Sequence, residues 1–195
     1  MKVIGITGGV GSGKSTITEI LKEQYHAFLI STDQVAHMLM QKDKISYKLI
    51  VEHFGQSILN ENKEIDRTLL GIIVYQDSSK LTLLNSLTHP YVMDYVCNLI
   101  RIKRAEKIEL VCVETALPIE AGLKDFCDEI WYISAPESVR RGRLKKDRNY
   151  SEQKIDNIFK NQISDEDYRK ASTHTLNNDC SKEIISNQIE ILLEK

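Results

Sequence analysis

Of 195 residues, only three are proline and nine glycine, which excludes a collagen-like chain or a long flexible linker. The four cysteines, Cys97, Cys112, Cys127 and Cys180, form no CxxC pair, so neither a zinc ribbon nor a thioredoxin-type motif is indicated. A chain of this size and aliphatic content needs no disulfide frame, and the thiols read as reduced. No apolar run is long enough to span a bilayer. The run Met1–Thr7 turns glycine-rich too early for a secretory signal, so a cytoplasmic protein is expected. An excess of one charge is missing as well: 26 basic residues face 28 acidic ones, a net charge of -2. That balance gives no global attraction to nucleic acid or an anionic membrane. Repeats and low-complexity segments are absent, and nothing in the sequence points to an obligate protein partner.

What is present is ordinary globular composition, 42% hydrophobic and 28% charged, with enough length to bury a real core. Val3–Thr7 reads as a buried strand, followed by a glycine-rich turn and a helix over Lys14–Tyr25. Further short strands are expected at Ala27–Ile30, Lys107–Val113, Ile130–Ser134 and, weakly, Thr173–Leu176. From Val35 to Ile102 the pattern is mostly helical, with breaks near Gly55 and His89-Pro90. Two helices, Glu137–Lys146 and Ser151–Gln162, and a last one over Ser181–Leu193 complete the reading. Apolar strands alternating with helices argue for a five-stranded parallel sheet covered on both faces, an α/β/α fold. The loop Gly8-x-x-x-x-Gly13-Lys14-Ser15 after the first strand makes it one of the phosphate-loop NTPase type. The chain then divides into a core (1–34, 103–136, 171–195), a helical acceptor-binding insertion (35–102) and an Arg-rich lid (137–170).

The loop Gly8-Gly9-Val10-Gly11-Ser12-Gly13-Lys14-Ser15 matches the phosphate-binding pattern GxxxxGK[ST], between a strand and a helix as that pattern requires. Glycines let backbone N–H groups turn inward around a phosphate chain. Lys14 supplies a point charge to the β- and γ-phosphates, and Ser15 a hydroxyl to Mg²⁺. The alternative is a glycine-rich turn with no ligand. ATP or GTP with Mg²⁺ is the implied ligand, and the Asn62-Lys63-Glu64-Ile65 run does not form a guanine-recognition motif.

Other candidates carry two readings each. Asp33, just after the second strand, could take the proton of an acceptor hydroxyl or could cap a helix. Glu114 ends the apolar strand Leu110–Val113; it could hold a Mg²⁺-bound water or be a solvated strand end. Glu120 is a second candidate for the acceptor site. Arg140, Arg141, Arg143, Lys145, Lys146 and Arg148 crowd a segment whose only acid is Asp147. That run is a solvated helix face, a nucleic-acid contact or a lid over ATP. A phosphoryl-transfer site calls for arginines, and no aromatic residues interleave the cluster before Tyr150, which favours the lid. His89, before Pro90, could cap a helix or bind a phosphate.

Taken together these residues resemble the dephospho-coenzyme A kinase family along essentially the whole chain. The stretch Ile4 to Thr16 is similar to that family's opening nearly residue for residue. Asp33, Ile65-Asp66-Arg67, Leu84-Asn85 through His89-Pro90, Glu114 through Gly122, Arg143-Leu144 with Arg148, Gln162 and Asn178 resemble its later blocks. The resemblance implies ATP-dependent phosphorylation of the 3′-hydroxyl of dephospho-coenzyme A. It further implies Asp33 as base, Arg143 on the transferring phosphoryl, and Gly8 to Thr16 with Arg148 and Asn178 on ATP. His37, Arg67, His89 and Glu120 would then face the acceptor. Ser31 stands where the family has Asp, His37 where many members have Arg, and Thr173 and Cys180 replace an Asp and a Gly. Two rivals remain on the residues alone: another small-metabolite or nucleotide kinase, and a regulatory protein that binds ATP without transferring phosphate.

Overall fold

A computed structural model describes residues 1–116 and 122–194. In chain order it contains β1 (Lys2–Thr7), α1 (Lys14–Tyr25), β2 (Phe28–Ser31), α2 (Thr32–Leu39), α3 (Ile45–Phe54), α4 (Arg67–Tyr75) and α5 (Ser78–Ala105). There follow β3 (Leu110–Glu114), β4 (Glu129–Ser134), α6 (Glu137–Arg148), α7 (Glu152–Lys160), α8 (Asp165–Ala171), β5 (His174–Asn177) and α9 (Lys182–Leu193). The five strands form one sheet in the order β2-β3-β1-β4-β5. The β1–β3, β1–β4 and β4–β5 pairings are parallel, with Ile4 opposite both Cys112 and Glu129, and Trp131 opposite His174. This is the expected α/β class with a five-stranded sheet. With β1 central, the segment leaving its carboxyl end lies where ligands bind in open parallel sheets. That segment begins at Gly8.

Contacts between Cα atoms divide the chain into two compact units, 1–29 with 103–195, and 30–102. In the first, alternate strand residues Ile4, Ile6, Cys112, Trp131, Ile133 and Leu176 pack against Ile17, Ile20 and Leu21 of α1 and Ile185 and Ile189 of α9. The i, i+3, i+4 spacing of those helical residues supplies the apolar stripe. Gly5 on β1 is required by close approach: a Cβ there would fall 2.8 Å from Leu123 Cδ1. At the amino end of β4, Thr173 Oγ1 lies 2.9 Å from both the N–H and the carbonyl of Ile130, so this threonine ties the start of β5 to its neighbour.

The second unit has its own core, Ile50, Ile58, Ile65, Leu70 and Val74, ringed by Tyr47, Phe54, Leu59 and Leu84. Helix α3 ends at Gly55, whose φ of 81° places it in the left-handed region, as the sequence break there suggests. The break expected at His89-Pro90 is absent. Helix α5 runs through Pro90 for 28 residues. Proline removes the N–H that would bond the Ser86 carbonyl and costs about 3 kcal/mol or more in a helix interior. The helix survives because Thr88, Val92, Val96 and Ile100 are buried at a spacing of four on both sides of the proline. Helix α8 was not expected from the sequence, and strand ends differ from the sequence reading by one to three residues.

Candidate active site

The segment 8–13 is a loop whose carbonyls are held from outside. Lys14 Nζ donates to the carbonyls of Gly8 (2.7 Å) and Gly9 (3.5 Å). Arg140 Nε donates to the Val10 carbonyl at 2.9 Å. Arg143 Nη1 reaches the carbonyls of Gly11 (3.3 Å) and Ser12 (3.1 Å). The Asn178 amide donates to Ser12 O at 2.7 Å and to Gly13 O at 3.4 Å. Every carbonyl from Gly8 to Gly13 thus has a donor. The Ser12 N–H is itself spent on the Gly9 carbonyl at 3.1 Å, and a glycine-rich loop of this kind offers its other backbone N–H groups to an anion. Gly13 has φ 90°, and a Cβ there would strike the Asn178 amide nitrogen. Gly8, at φ 150°, would place a Cβ 2.5 Å from the Ile133 carbonyl. Helix α1 starts directly after the loop and adds its positive end. Ser12 is 1% exposed and its hydroxyl has no partner among the described residues, which suits a polar site better than a packed turn.

The residues after β4 close this cradle. Arg143 Nη2 donates to the Asn178 carbonyl at 2.6 Å, so Arg143 and Asn178 brace each other as well as the loop. Arg140 also donates to Gln162 Oε1 and stacks over the Phe159 ring, 4.3 Å from its centroid. Burial pulls the Arg140 guanidinium below its ordinary pKa, although Tyr132, Tyr168, Glu137 and Asp165 pull the other way. Next to it, an open cavity of about 580 Å³ is lined by Ser134, Arg140, Phe159, Gln162, Asp165 and Asn177, among others. Tyr132 stacks on Tyr168 and donates to Asp165; burial foremost, and then that hydrogen bond, push its hydroxyl to about 12.

The basic run therefore divides by face. Arg140 and Arg143 turn to the loop. Arg141 is paired with Glu137 (2.8 Å), Glu152 (3.1 Å) and Asp156 (2.6 Å), and Lys145 with Glu152. The sequence reading found only Asp147 inside the run; the neutralising acids come from the start of α6 and from α7. Arg148, in the last turn of α6, is exposed. Arg140 and Gln162 were not among the expected site residues. Both carried a signal short of a role: Arg140 stood in the basic run read as a lid, and Gln162 among the residues that carry the family resemblance.

Ser15 lies exposed in the first turn of α1, and Glu114 ends β3 in register with Ile6. A hydroxyl and a carboxylate are hard oxygen donors suited to Mg²⁺. Among the described residues no cluster of three His, Cys, Asp or Glu could hold a metal alone. The donor set thus fits an ion that arrives with nucleotide phosphates, as Mg²⁺ commonly does.

In the second unit, Asp33 is exposed in the first turn of α2. It is not the cap: Ser31 is, its Oγ accepting from Gln34 N at 3.4 Å. The helix-cap reading of Asp33 is thereby corrected, because the residue with extended φ/ψ before the first turn is Ser31. His37 lies one turn further on and is exposed. Arg67 opens α4 directly after the cap Asp66, whose Oδ1 accepts from Thr68 N (2.9 Å) and Leu69 N (3.0 Å). His89 is half-buried inside α5, so it does not cap a helix. Glu120 lies outside the described residues.

Comparison with known proteins agrees with this geometry. The model of the dephospho-CoA kinase family matches residues 2–183. A dephospho-CoA kinase of Dehalococcoides mccartyi is 31% identical over 195 residues, covering 100% of this chain and 98% of that protein. One from Carboxydothermus hydrogenoformans is 32% identical, covering 100% and 94%. Among solved structures, a dephospho-CoA kinase from Campylobacter jejuni superposes with a TM-score of 0.72 at 24% identity, covering 100% of this chain and 97% of that one, and so shares the fold. A phosphate loop braced by the segment after β4, in a chain matched over its length by such relatives, belongs to the dephospho-CoA kinase family.

Proposed function

We propose that this protein transfers the γ-phosphoryl of Mg²⁺-ATP to the ribose 3′-hydroxyl of dephospho-coenzyme A, giving coenzyme A and ADP. The observation that carries this reading is the loop Gly8–Gly13, with all its carbonyls engaged, in a member of this family. The loop amides and Lys14 hold the β- and γ-phosphates, and Thr16, Arg148 and Asn178 complete the nucleotide's surroundings. Asp33 takes the proton of the 3′-hydroxyl as its oxygen bonds to the γ-phosphorus. The bond from that phosphorus to the β–γ bridging oxygen breaks, and the electron pair leaves with ADP. Lys14 and Arg143 stabilise the charge that builds on the transferring group and the bridging oxygen. To do so they exchange carbonyls they hold without nucleotide, those of Gly8 and Gly9 for Lys14 and of Gly11, Ser12 and Asn178 for Arg143. Ser15, with Glu114 through water, would hold Mg²⁺, which would supply neutralisation of phosphate charge. His37, Arg67, His89 and Glu120 meet the acceptor, Arg67 by the bidentate contact that a guanidinium offers a pyrophosphate. Residues 35–102 bind the acceptor, and residues 137–170 act as the lid.

The protein acts in the cytoplasm and needs no protein partner, nucleic acid or membrane. Among the described residues no helix is long and apolar enough to cross a membrane. The test is to give the purified chain Mg²⁺-ATP with dephospho-coenzyme A, AMP, adenosine or shikimate separately. Products are identified by mass and by the position of the new phosphate. Preferential 3′-phosphorylation of dephospho-coenzyme A is expected. Equal or faster turnover of AMP, or a 2′-phosphate, returns the protein to the general small-molecule kinases. ATP binding with no transfer to any acceptor makes it a regulatory nucleotide binder.

A further inference from the structure

We propose that Arg140 is a positioning residue: it locks the segment after β4 onto the phosphate loop and holds that loop in its phosphate-receiving shape. The proposal rests on the kinase reading only for what the loop carries. Three contacts use three parts of one side chain. Nε donates to the Val10 carbonyl at 2.9 Å, Nη2 donates to Gln162 Oε1, and the guanidinium plane covers the Phe159 ring. Val10 stands between two glycines that are themselves tightly backed by the same residue. A Cβ on Gly9 would lie 2.5 Å from Arg140 Nη2 and 2.7 Å from Gln162 Oε1. A Cβ on Gly11 would lie 3.0 Å from the Arg140 carbonyl and 3.2 Å from Leu144 Cγ. Arg140 therefore fixes the middle of the loop by its side chain, while its backbone lies closely against the next residue.

This differs from what Arg143 does. Arg143 braces the loop's later half against Asn178, inside the cradle. Arg140 links the loop to Phe159 in the last turn of α7 and to Gln162 just beyond it, in the segment assigned to the lid. Its guanidinium is engaged by protein on three sides, so it acts on the nucleotide through the loop. A residue that only shapes the loop strengthens binding of the ground state and the transition state alike. Its loss should raise the dissociation constant for ATP and leave kcat at saturation nearly unchanged. Lysine cannot replace it, because a point charge has no planar fork to serve Val10 and Gln162 together.

The test uses R140Q, R140K and Q162L of the full chain. Calorimetry with a non-hydrolysable ATP analogue should show affinity lower by about tenfold in R140Q, the scale of one charge-assisted hydrogen bond. R140K should recover little of it. Amide exchange at residues 9–13 of the ligand-free protein should quicken in R140Q, while kcat at saturating ATP stays within about threefold of wild type. Q162L should show the same pattern, smaller, and R140Q/Q162L should be no worse than R140Q, since the two act as one unit. Unchanged affinity and loop exchange with a lower Tm would overturn the proposal in favour of a plain structural strut. Unchanged affinity with a fall in kcat of about a hundredfold or more would overturn it too, placing Arg140 on the transferring phosphate. Additive effects in the double variant would remove Gln162 from the lock. Should R140Q not fold, Q162L decides alone: unchanged exchange at residues 9–13 defeats the idea. If the wild type binds the analogue but phosphorylates no dephospho-coenzyme A, the kinase reading fails and the binding and exchange measurements still judge Arg140.

Discussion

The two units carry their candidate chemistry in opposite ways. Around the phosphate loop, side chains are committed to backbone: Lys14, Arg140, Arg143 and Asn178 together hold six consecutive carbonyls. In residues 30–102 the candidates Asp33, His37 and Arg67 are exposed, and the local hydrogen bonding is done by neighbours that cap their helices, Ser31 and Asp66. One region is built to keep a shape for an anion. The other presents exposed side chains on helices whose starts are fixed by different residues. Substitutions in the first region should therefore mix binding with stability, whereas those in the second should separate them.

The largest effect, and the first way to break this contrast, is Gly13→Ala. The methyl group would strike the Asn178 amide and hold a left-handed φ that costs about 1–2 kcal/mol for an L-residue. With the Asn178 bonds also disturbed, nucleotide affinity should fall on the order of 10²-fold. The Tm should fall with it, in a thermal melt beside a calorimetric titration. A variant that loses affinity at full stability would mean that the loop is not braced as a unit. Asp33→Asn is the opposite case. Its kcat should drop on the order of 10²-fold or more for a lost general base. Both Tm and ATP affinity should stay near wild type, because Ser31 caps the helix. A Tm loss with kcat intact would return Asp33 to a structural role.

The same contrast explains what the sequence made legible. The loop, its strand and its helix follow from a short contiguous pattern, and four strands were visible as apolar runs, whereas β5, His-Thr-Leu-Asn, gave only a weak signal. Position in the sheet, with β1 central, follows from tertiary pairing that local periodicity does not encode. Pro90 misled because its local cost is plain while the burial at Thr88, Val92, Val96 and Ile100 that offsets it is set by packing. The basic run looked almost unneutralised because the α7 acids that pair Arg141 lie up to fifteen residues later. Arg140 and Gln162 meet across 22 positions, a separation at which spacing carries no signal. For Asp33, sequence could see the helix start but not which residue capped it.

A smaller effect sharpens the second region. Ser31→Ala removes the α2 cap and should cost about 1 kcal/mol of stability. Because Asp33 sits in the turn that Ser31 fixes, kcat should fall modestly, by a fewfold, with ATP affinity unchanged. The comparison of S31A with S31D checks the cause: aspartate is an equally good cap and should restore both quantities. If kcat stays low in S31D while stability returns, Ser31 contributes something other than the cap.

The smallest expected effect lies in the first unit but at the opposite end of the sheet from the loop, and it separates stability from binding within that unit. Glu129 opens β4, pairs with Lys2 Nζ at 2.7 Å and accepts from Trp131 Nε1 at 2.8 Å. Burial pushes its pKa up, but the hydrogen bonds and charge of Lys2, with Trp131 and the more distant His174, outweigh burial and hold the carboxyl below its ordinary value. A carboxyl lowered in the fold binds protons more weakly there than in the unfolded chain. Its stabilisation is therefore complete above the ordinary glutamate range, near pH 4, and is lost as pH falls through the lowered value. Glu129→Gln keeps an acceptor for Trp131 but loses the ion pair, which at this partly exposed site is worth no more than about 1 kcal/mol. At pH 7 the Tm should fall by roughly 1–4 °C for a chain of this length. The difference from wild type should begin to shrink as pH falls below the ordinary glutamate range, about pH 4, and close as pH passes through the lowered value. Affinity for the ATP analogue should not change at pH 7, since none of the loop's donors is touched. A stability gap that persists or widens in acid would mean that Glu129 contributes by packing rather than charge, and a change in affinity would mean that the sheet transmits strain to the loop.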